Sequence, residues 1–271
     1  MPNRHHFQGL LHTGRPSDTE FRVRWGLKPL PITTRVMYDG WSDGNQLPPE
    51  IWYDNVAAAL DPPDGWVLID HEMWPTTTQA ERLLTAGMFA TVFQEMKSRR
   101  PDLKFGFYSY APRRDLFNAI KAIDHADYLA WQATNDDMAE MAACVDGFFP
   151  SIYYFYDTVT NGAEYISWAP LYYERNILEA RRIRDLYGDK ERPVYPYIWY
   201  MRQDGSKLLD SVTWEQMIDS ANTFADGYVL WGGWDVGDGA ATTWLADARD
   251  AAWWHTLKTR LPRRFHIGAC V

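Results

Sequence analysis

The 271-residue chain is poor in cysteine, in basic charge and in long apolar runs, and each shortage removes a class of protein. Only Cys144 and Cys270 occur, so a disulfide scaffold is excluded, while one bridge and two free thiols both stay open. The formal net charge is -9, and no basic run or zinc-finger spacing offsets it, so no nucleic-acid partner is expected. No apolar stretch reaches the length of a membrane span, and the polar start, with Arg4, His5 and His6, has no signal-type apolar core. A soluble chain with no membrane partner is the expectation. The 7 histidines show no metal-ligand spacing, and serine nucleophile elbows are missing. No glycine-rich phosphate loop follows the first apolar run. Neither a metal nor a cofactor is therefore expected.

What the chain does hold is ordinary globular material with an excess of rings. Hydrophobic residues make up 46% and charged residues 23%, which suits one core and a single domain over residues 1–271. Aromatic residues reach 15%, with 14 Trp and 16 Tyr. Such rings pack well in cores, and they also stack on the apolar faces of sugar rings.

Short β-rich runs alternate with longer amphipathic stretches. The runs cover residues 34–38, 66–70, 104–108, 128–131, 147–153, 194–200 and 227–231, and most are nearly continuous in apolar or aromatic residues. Helical patterns cover 50–60, 79–99, 115–125, 136–145, 172–187, 214–225 and 244–261, with Thr213 as a cap before the last but one. Seven strand–helix units predict an α/β fold of the TIM-like (β/α) barrel kind, although an open doubly wound sheet shares the alternation. Residues 1–32 contain Pro16, Pro29 and Pro31 without a clear period and read as an irregular arm.

Barrel enzymes carry their chemistry at the C-terminal ends of the strands. The second run ends Ile69-Asp70-His71-Glu72-Met73-Trp74-Pro75. With a period of two, Asp70 and Glu72 share one face and His71 points away. Two acids so close do not both ionise freely, so one proton stays, and Glu72, further out, suits the protonation of a leaving oxygen. Neighbours on one strand do not flank a glycosidic bond as a conventional carboxylate pair does. Either Asp157 or Asp235 supplies a second carboxylate from another strand end, or the substrate's own 2-acetamido oxygen attacks, with a tyrosine to orient it.

The segment Asp70-His71-Glu72-Met73-Trp74-Pro75 resembles the catalytic strand of the hyaluronidase family, whose pattern is Asp, any residue, Glu and a Trp-Arg-Pro-like turn. Four further segments resemble that family in order. They are Gly106-Phe107-Tyr108-Ser109-Tyr110-Ala111-Pro112, Phe149-Pro150-Ser151-Ile152-Tyr153, Pro193-Val194-Tyr195-Pro196-Tyr197, and the run from Gly227 through Trp231 to Trp234 and Asp235. The resemblance implies a seven-stranded barrel and a glycoside hydrolase acting on a polysaccharide or oligosaccharide by a retaining, substrate-assisted route. Within it Glu72 is the acid/base, Asp70 its partner, and Tyr153, Tyr197 and Trp231 shape the pocket. The chain departs from the family in lacking the arginine of the Trp-Arg-Pro turn, the disulfide framework and the insertion after that turn. These departures direct the expectation to an N-acetylhexosamine glycan other than hyaluronan. A chitinase-like pattern fails, because it requires an acid where Leu68 stands.

Tyr38, Tyr108, Tyr110, Trp131, Trp231, Trp234 and Asp235 close or follow runs and are the expected substrate-binding residues. Two rival expectations accompany this one: a two-carboxylate glycosidase using Asp157 or Asp235 with Glu72, and a carbohydrate-binding barrel without catalysis.

Overall fold

A computed structural model of the chain describes residues 5–29, 46–62, 65–155, 163–203, 205, 207–233, 243–244 and 252–261. Its strands are β1 (His5–Leu10), β2 (Leu27–Pro29), β3 (Trp66–Ile69), β4 (Lys104–Phe107), β5 (Tyr197–Trp199) and β6 (Gly227–Gly232). Its helices are α1 (Asp18–Glu20), α2 (Glu50–Ala59), α3 (Gln79–Arg99), α4 (Ala126–Asp136), α5 (Ala139–Cys144), α6 (Ala163–Tyr187), α7 (Ser211–Phe224) and α8 (Ala252–Arg260), with a π-turn at Phe21–Trp25.

All strand pairings are parallel, in the orders β2-β1-β6-β5 and β3-β4. An extended run from Phe148 to Tyr154 joins the two groups. Phe149 bridges Tyr108 on one side, while Phe148 and Ser151 bridge Val194 and Tyr197 on the other. The fold is therefore α/β with a parallel sheet whose strands are connected by helices.

The sheet curls around aromatic side chains. Phe7 of β1 meets Trp66 of β3 at 6.3 Å and Tyr195 at 5.1 Å between ring centroids, and Trp66 meets Phe149 at 5.8 Å. Through these contacts side chains of β1 and β3, which do not pair with each other, meet on one face of the sheet. Glycines make the room: a Cβ on Gly147 would lie 2.9 Å from the indole of Trp66. On the outer face Phe105 and Phe107 pack under Phe93 and Phe89 of α3. That helix starts with a reciprocal capping box between Thr78 and Glu81, which fixes where the chain turns after β3.

Several sequence expectations are corrected. Within the arm expected over residues 1–32, the described residues 5–29 are not irregular, because β1 lies between β2 and β6. Its sequence hid this, since His6 and Gln8 are polar yet buried; Gln8 is satisfied by the Leu10 amide and by Asp18. Residues 128–131 form no strand but lie within α4. The helix expected over 115–125 does not form: the Asp115 carboxylate accepts from the amides of Phe117 and Asn118, closing a turn, and helix begins only after His125. Residues 136–145 give only the short α5, and α6 starts at Ala163, carrying Pro170 inside it. Asp210, not Thr213, caps α7, accepting from the Thr213 amide. The described part of the last expected helix is α8. The expected strand at 34–38 lies outside the described residues, as does Cys270; Cys144 is a free thiol. Among the described residues no helix is long and apolar enough to cross a membrane.

Candidate active site

Strand alternation sorts the end of β3. Trp66 and Leu68 face the interior, and the same alternation carries Asp70 and Glu72 to that side and His71 to the other. His71 packs on Trp74 at 4.6 Å, and Trp74 on Phe89 of α3 at 4.6 Å. Burial there pushes the imidazole down to about 4, so it is neutral at physiological pH.

The two acids have different surroundings. Asp70 is largely enclosed, and its Oδ1 is buried without a hydrogen-bond partner. Burial, and then the charge of Glu72, lift its carboxyl to about 7. Glu72 stands exposed at the rim, where crowding by protein raises its pKa and the Arg114 guanidinium opposes the rise. In the resting site the inner acid is thus the stronger proton holder, whereas the sequence alone suggested the outer one.

Aromatic side chains converge beside Asp70. Tyr108 packs against Tyr197 at 4.9 Å and Tyr153 at 6.1 Å, and Tyr153 against Trp199 at 5.5 Å. Trp231 stands in register with Trp199 on the neighbouring strand. Desolvation holds the phenols of Tyr108, Tyr153 and Tyr197 far above their ordinary value, so all three remain neutral donors. The hydroxyl of Tyr197 and the indole Nε1 of Trp199 are buried without hydrogen-bond partners, as is Asp70 Oδ1. These three polar atoms meet at one strand end, where they are suited to a polar ligand.

A cavity of about 190 Å³ opens in front of Glu72, lined also by Trp74, Thr76, Tyr110, Arg113 and Arg114. The loop that carries the arginines is held at several points. Arg113 N donates to Asn135 Oδ1 at 3.0 Å, Trp131 Nε1 donates to Arg113 O at 2.9 Å, and Arg113 Nη1 donates to Thr76 O. Arg114 Nη1 donates to Ser151 Oγ at 3.1 Å, to which Tyr108 Oη also donates at 3.0 Å.

The structure thus brings together Asp70, Glu72, Tyr108, Tyr153, Tyr197 and Trp231, with Tyr110 in the cavity wall. Trp131 does not join them: it is buried in α4 against Tyr128, and its indole holds the arginine loop. Tyr38, Asp157, Trp234 and Asp235 lie outside the described residues. Sequence reading passed over Trp199, Ser151, Arg113 and Arg114. Trp199 was readable from the two-residue period of Tyr195 and Tyr197, and the arginines from their place directly after the Gly106–Pro112 segment.

No protein-family model matches the chain, and no curated protein matches it in sequence. Solved structures do match. Bee venom hyaluronidase superimposes with a TM-score of 0.57 at 16% identity, covering 85% of this chain and 91% of that one. Its complex with a hyaluronic acid tetramer gives 0.53 at 19% identity over 68% and 66%. The catalytic domain of a chitinase from Pyrococcus furiosus gives 0.51 at 13% identity over 98% and 100%. The fold is one shared with barrel glycoside hydrolases. An endo-1,4-beta-D-mannanase from Thermotoga petrophila, with a TM-score of 0.52 at 13% identity over 86% of this chain and 74% of that one, shares it too.

Proposed function

We propose that the chain is a glycoside hydrolase of hyaluronidase-like type, a seven-stranded barrel that cleaves within an N-acetylhexosamine-containing polysaccharide. The observation that carries this reading is the acid pair at the end of β3, with Asp70 enclosed among tyrosine and tryptophan side chains and Glu72 at the cavity. The fold shared with hyaluronidase and chitinase supports it.

In this mechanism the proton that Asp70 holds in the resting site passes to Glu72 once substrate is bound, and Glu72, at the rim, gives it to the leaving glycosidic oxygen. The acids share one strand end, so the attacking atom on the opposite side of the anomeric carbon is the oxygen of the substrate's 2-acetamido group. Asp70 and the Tyr197 hydroxyl hold that group, the carboxylate taking its N–H and the phenol donating to its oxygen. Glu72, now ionised, takes the proton of the water that opens the cyclic intermediate, so configuration is retained. Trp199 and Trp231 supply apolar faces to the sugar ring.

Product analysis on a panel of N-acetylhexosamine polysaccharides tests the reading, with Glu72→Gln as control. Cleavage is expected from the wild type and a loss of at least about 10²-fold from the variant, the range for a missing general acid. Full activity in Glu72→Gln would remove Glu72 from its role, and equal turnover of matched substrates with and without the acetamido group would reject substrate assistance.

A further inference from the structure

We infer that Arg114 is a positioning residue: a guanidinium clamped between Ser151 and Phe155 is the fixed positive charge that divides the work between Glu72 and Asp70. The inference rests on the proposed reading of the two acids and adds a residue that neither the sequence motifs nor that mechanism assigned.

Arg114 is unlike most of the described arginines. Arg82, Arg99, Arg182 and Arg260, among others, sit within 4 Å of a carboxylate. Among the described residues Arg114 has no such partner. Its guanidinium lies 4.1 Å from the Phe155 ring centroid and donates to Ser151 Oγ, so its head is held by a stack and a hydrogen bond rather than by an acid. Its backbone is equally constrained. Arg113 before it is fixed at both amide and carbonyl by Asn135 and Trp131, and after it the Asp115 amide donates to Asn176 Oδ1 while the Asp115 carbonyl accepts from Asn176 Nδ2. Asn135 is held in turn by the buried Glu179. A loop tied down on both sides of one side chain supports a charge whose position matters.

The clamp also reaches the interior. Ser151 Oγ accepts from Arg114 and from Tyr108, and Tyr108 packs on Tyr197 and Tyr153 beside Asp70. Among the described residues the charged and titratable groups facing Glu72 are Asp70 from the strand end, Tyr108 from the end of β4, and Tyr110, Arg113 and Arg114 from the following loop. Of the two arginines, Arg114 is the one whose charge opposes the rise in the pKa of Glu72. Arg113 spends a donor on Thr76 O instead. With Arg114 in place, Glu72 is the more readily ionised acid and Asp70 keeps the shared proton, so the outer group is a strong acid once the proton reaches it. Without Arg114 the difference between the two acids narrows.

Carbon-13 titration of the Asp70 and Glu72 carboxyls, without substrate, reads this directly in wild type, Arg114→Gln, Arg114→Lys and Ser151→Ala. Arg114→Gln is expected to raise the Glu72 midpoint by about half a pH unit or more, roughly threefold in the protonation equilibrium. Arg114→Lys, which keeps the charge, restores most of the shift, and Ser151→Ala, which frees the guanidinium, gives an intermediate value. A Glu72 midpoint unmoved in Arg114→Gln overturns the inference, as does a Lys variant no better than Gln. With substrate, the acidic limb of the kcat/KM profile moves with the Glu72 midpoint. A higher KM with an unmoved profile would instead make Arg114 a sugar-binding residue and overturn the positioning role. Shifted midpoints in a protein that turns over no glycan uphold the role of Arg114 and sink the hydrolase reading.

Discussion

Trp131 and Arg113 are joined by one hydrogen bond, from the indole Nε1 to the main-chain carbonyl at 2.9 Å. The tryptophan is thereby part of the support beneath the cavity and not of its wall. Trp131→Phe keeps the ring and leaves the carbonyl without its donor. A buried acceptor stripped of its partner costs about 1–3 kcal/mol, and this carbonyl is part-buried, so the variant is expected to lose about 1 kcal/mol of stability and to unfold at lower urea. Oligosaccharide binding, followed by tryptophan fluorescence, is expected to persist with weakened affinity. Abolished binding in a fully stable variant would return Trp131 to the sugar site.

Gly106 and Phe149 occupy one small volume inside the sheet. A Cβ on Gly106 would stand 2.2 Å from Phe149 Cε2 and 3.0 Å from the carbonyl oxygen of Gly147. Gly106→Ala therefore forces the Phe149 ring to move, and overpacking of this kind costs about 1–3 kcal/mol. Phe149→Leu introduced alongside it is expected to recover part of the loss, which a double-mutant cycle in urea measures. Equal stability of Gly106→Ala and wild type would show that the ring has room to shift.

The parts legible in the sequence were those where local pattern and burial agree. The runs at β3, β5 and β6 are apolar and buried on both faces, β4 is so after its exposed Lys104, and α3 carries both a capping box and a long period. The acid pair was legible for the same reason, since charge at the end of such a run breaks the pattern. Tertiary context decided the rest. β1 is a strand because its neighbours pair with it, although its own residues include His6 and Gln8. Residues 128–131 look strand-like because Tyr128 and Trp131 are bulky, but these two sit three apart on one face of α4 and bury together with Ala119. The cavity's arginines were missed because charge on a loop carries no period; their place directly after the Gly106–Pro112 segment was the one signal, and the hydrogen bonds to Asn135 and Trp131 show that the loop is fixed.

Asp70 and His71 are adjacent in sequence, face opposite sides of β3 and pull stability in opposite directions with pH. Burial raises Asp70 from its ordinary value to about 7, so folding favours its protonated form, and its contribution is present at low pH and lost as pH rises toward 7. Burial lowers His71 to about 4, so folding favours its neutral form, and its contribution grows as pH rises from about 4 to its ordinary value near 6.5. Between about pH 4 and 6.5 the two slopes oppose each other, and the wild-type profile is flattened there. Asp70→Asn removes one of them. Its stability is expected to climb across that window more steeply than the wild type's, by up to about 1.4 kcal/mol per pH unit. His71→Gln is expected to show the reverse, a fall with rising pH carried by Asp70 alone. Urea midpoints at half-unit steps from pH 4 to 8 measure both; parallel profiles for wild type and Asp70→Asn would show that Asp70 titrates at its ordinary value, and the shared-proton account of the acid pair would fail with it.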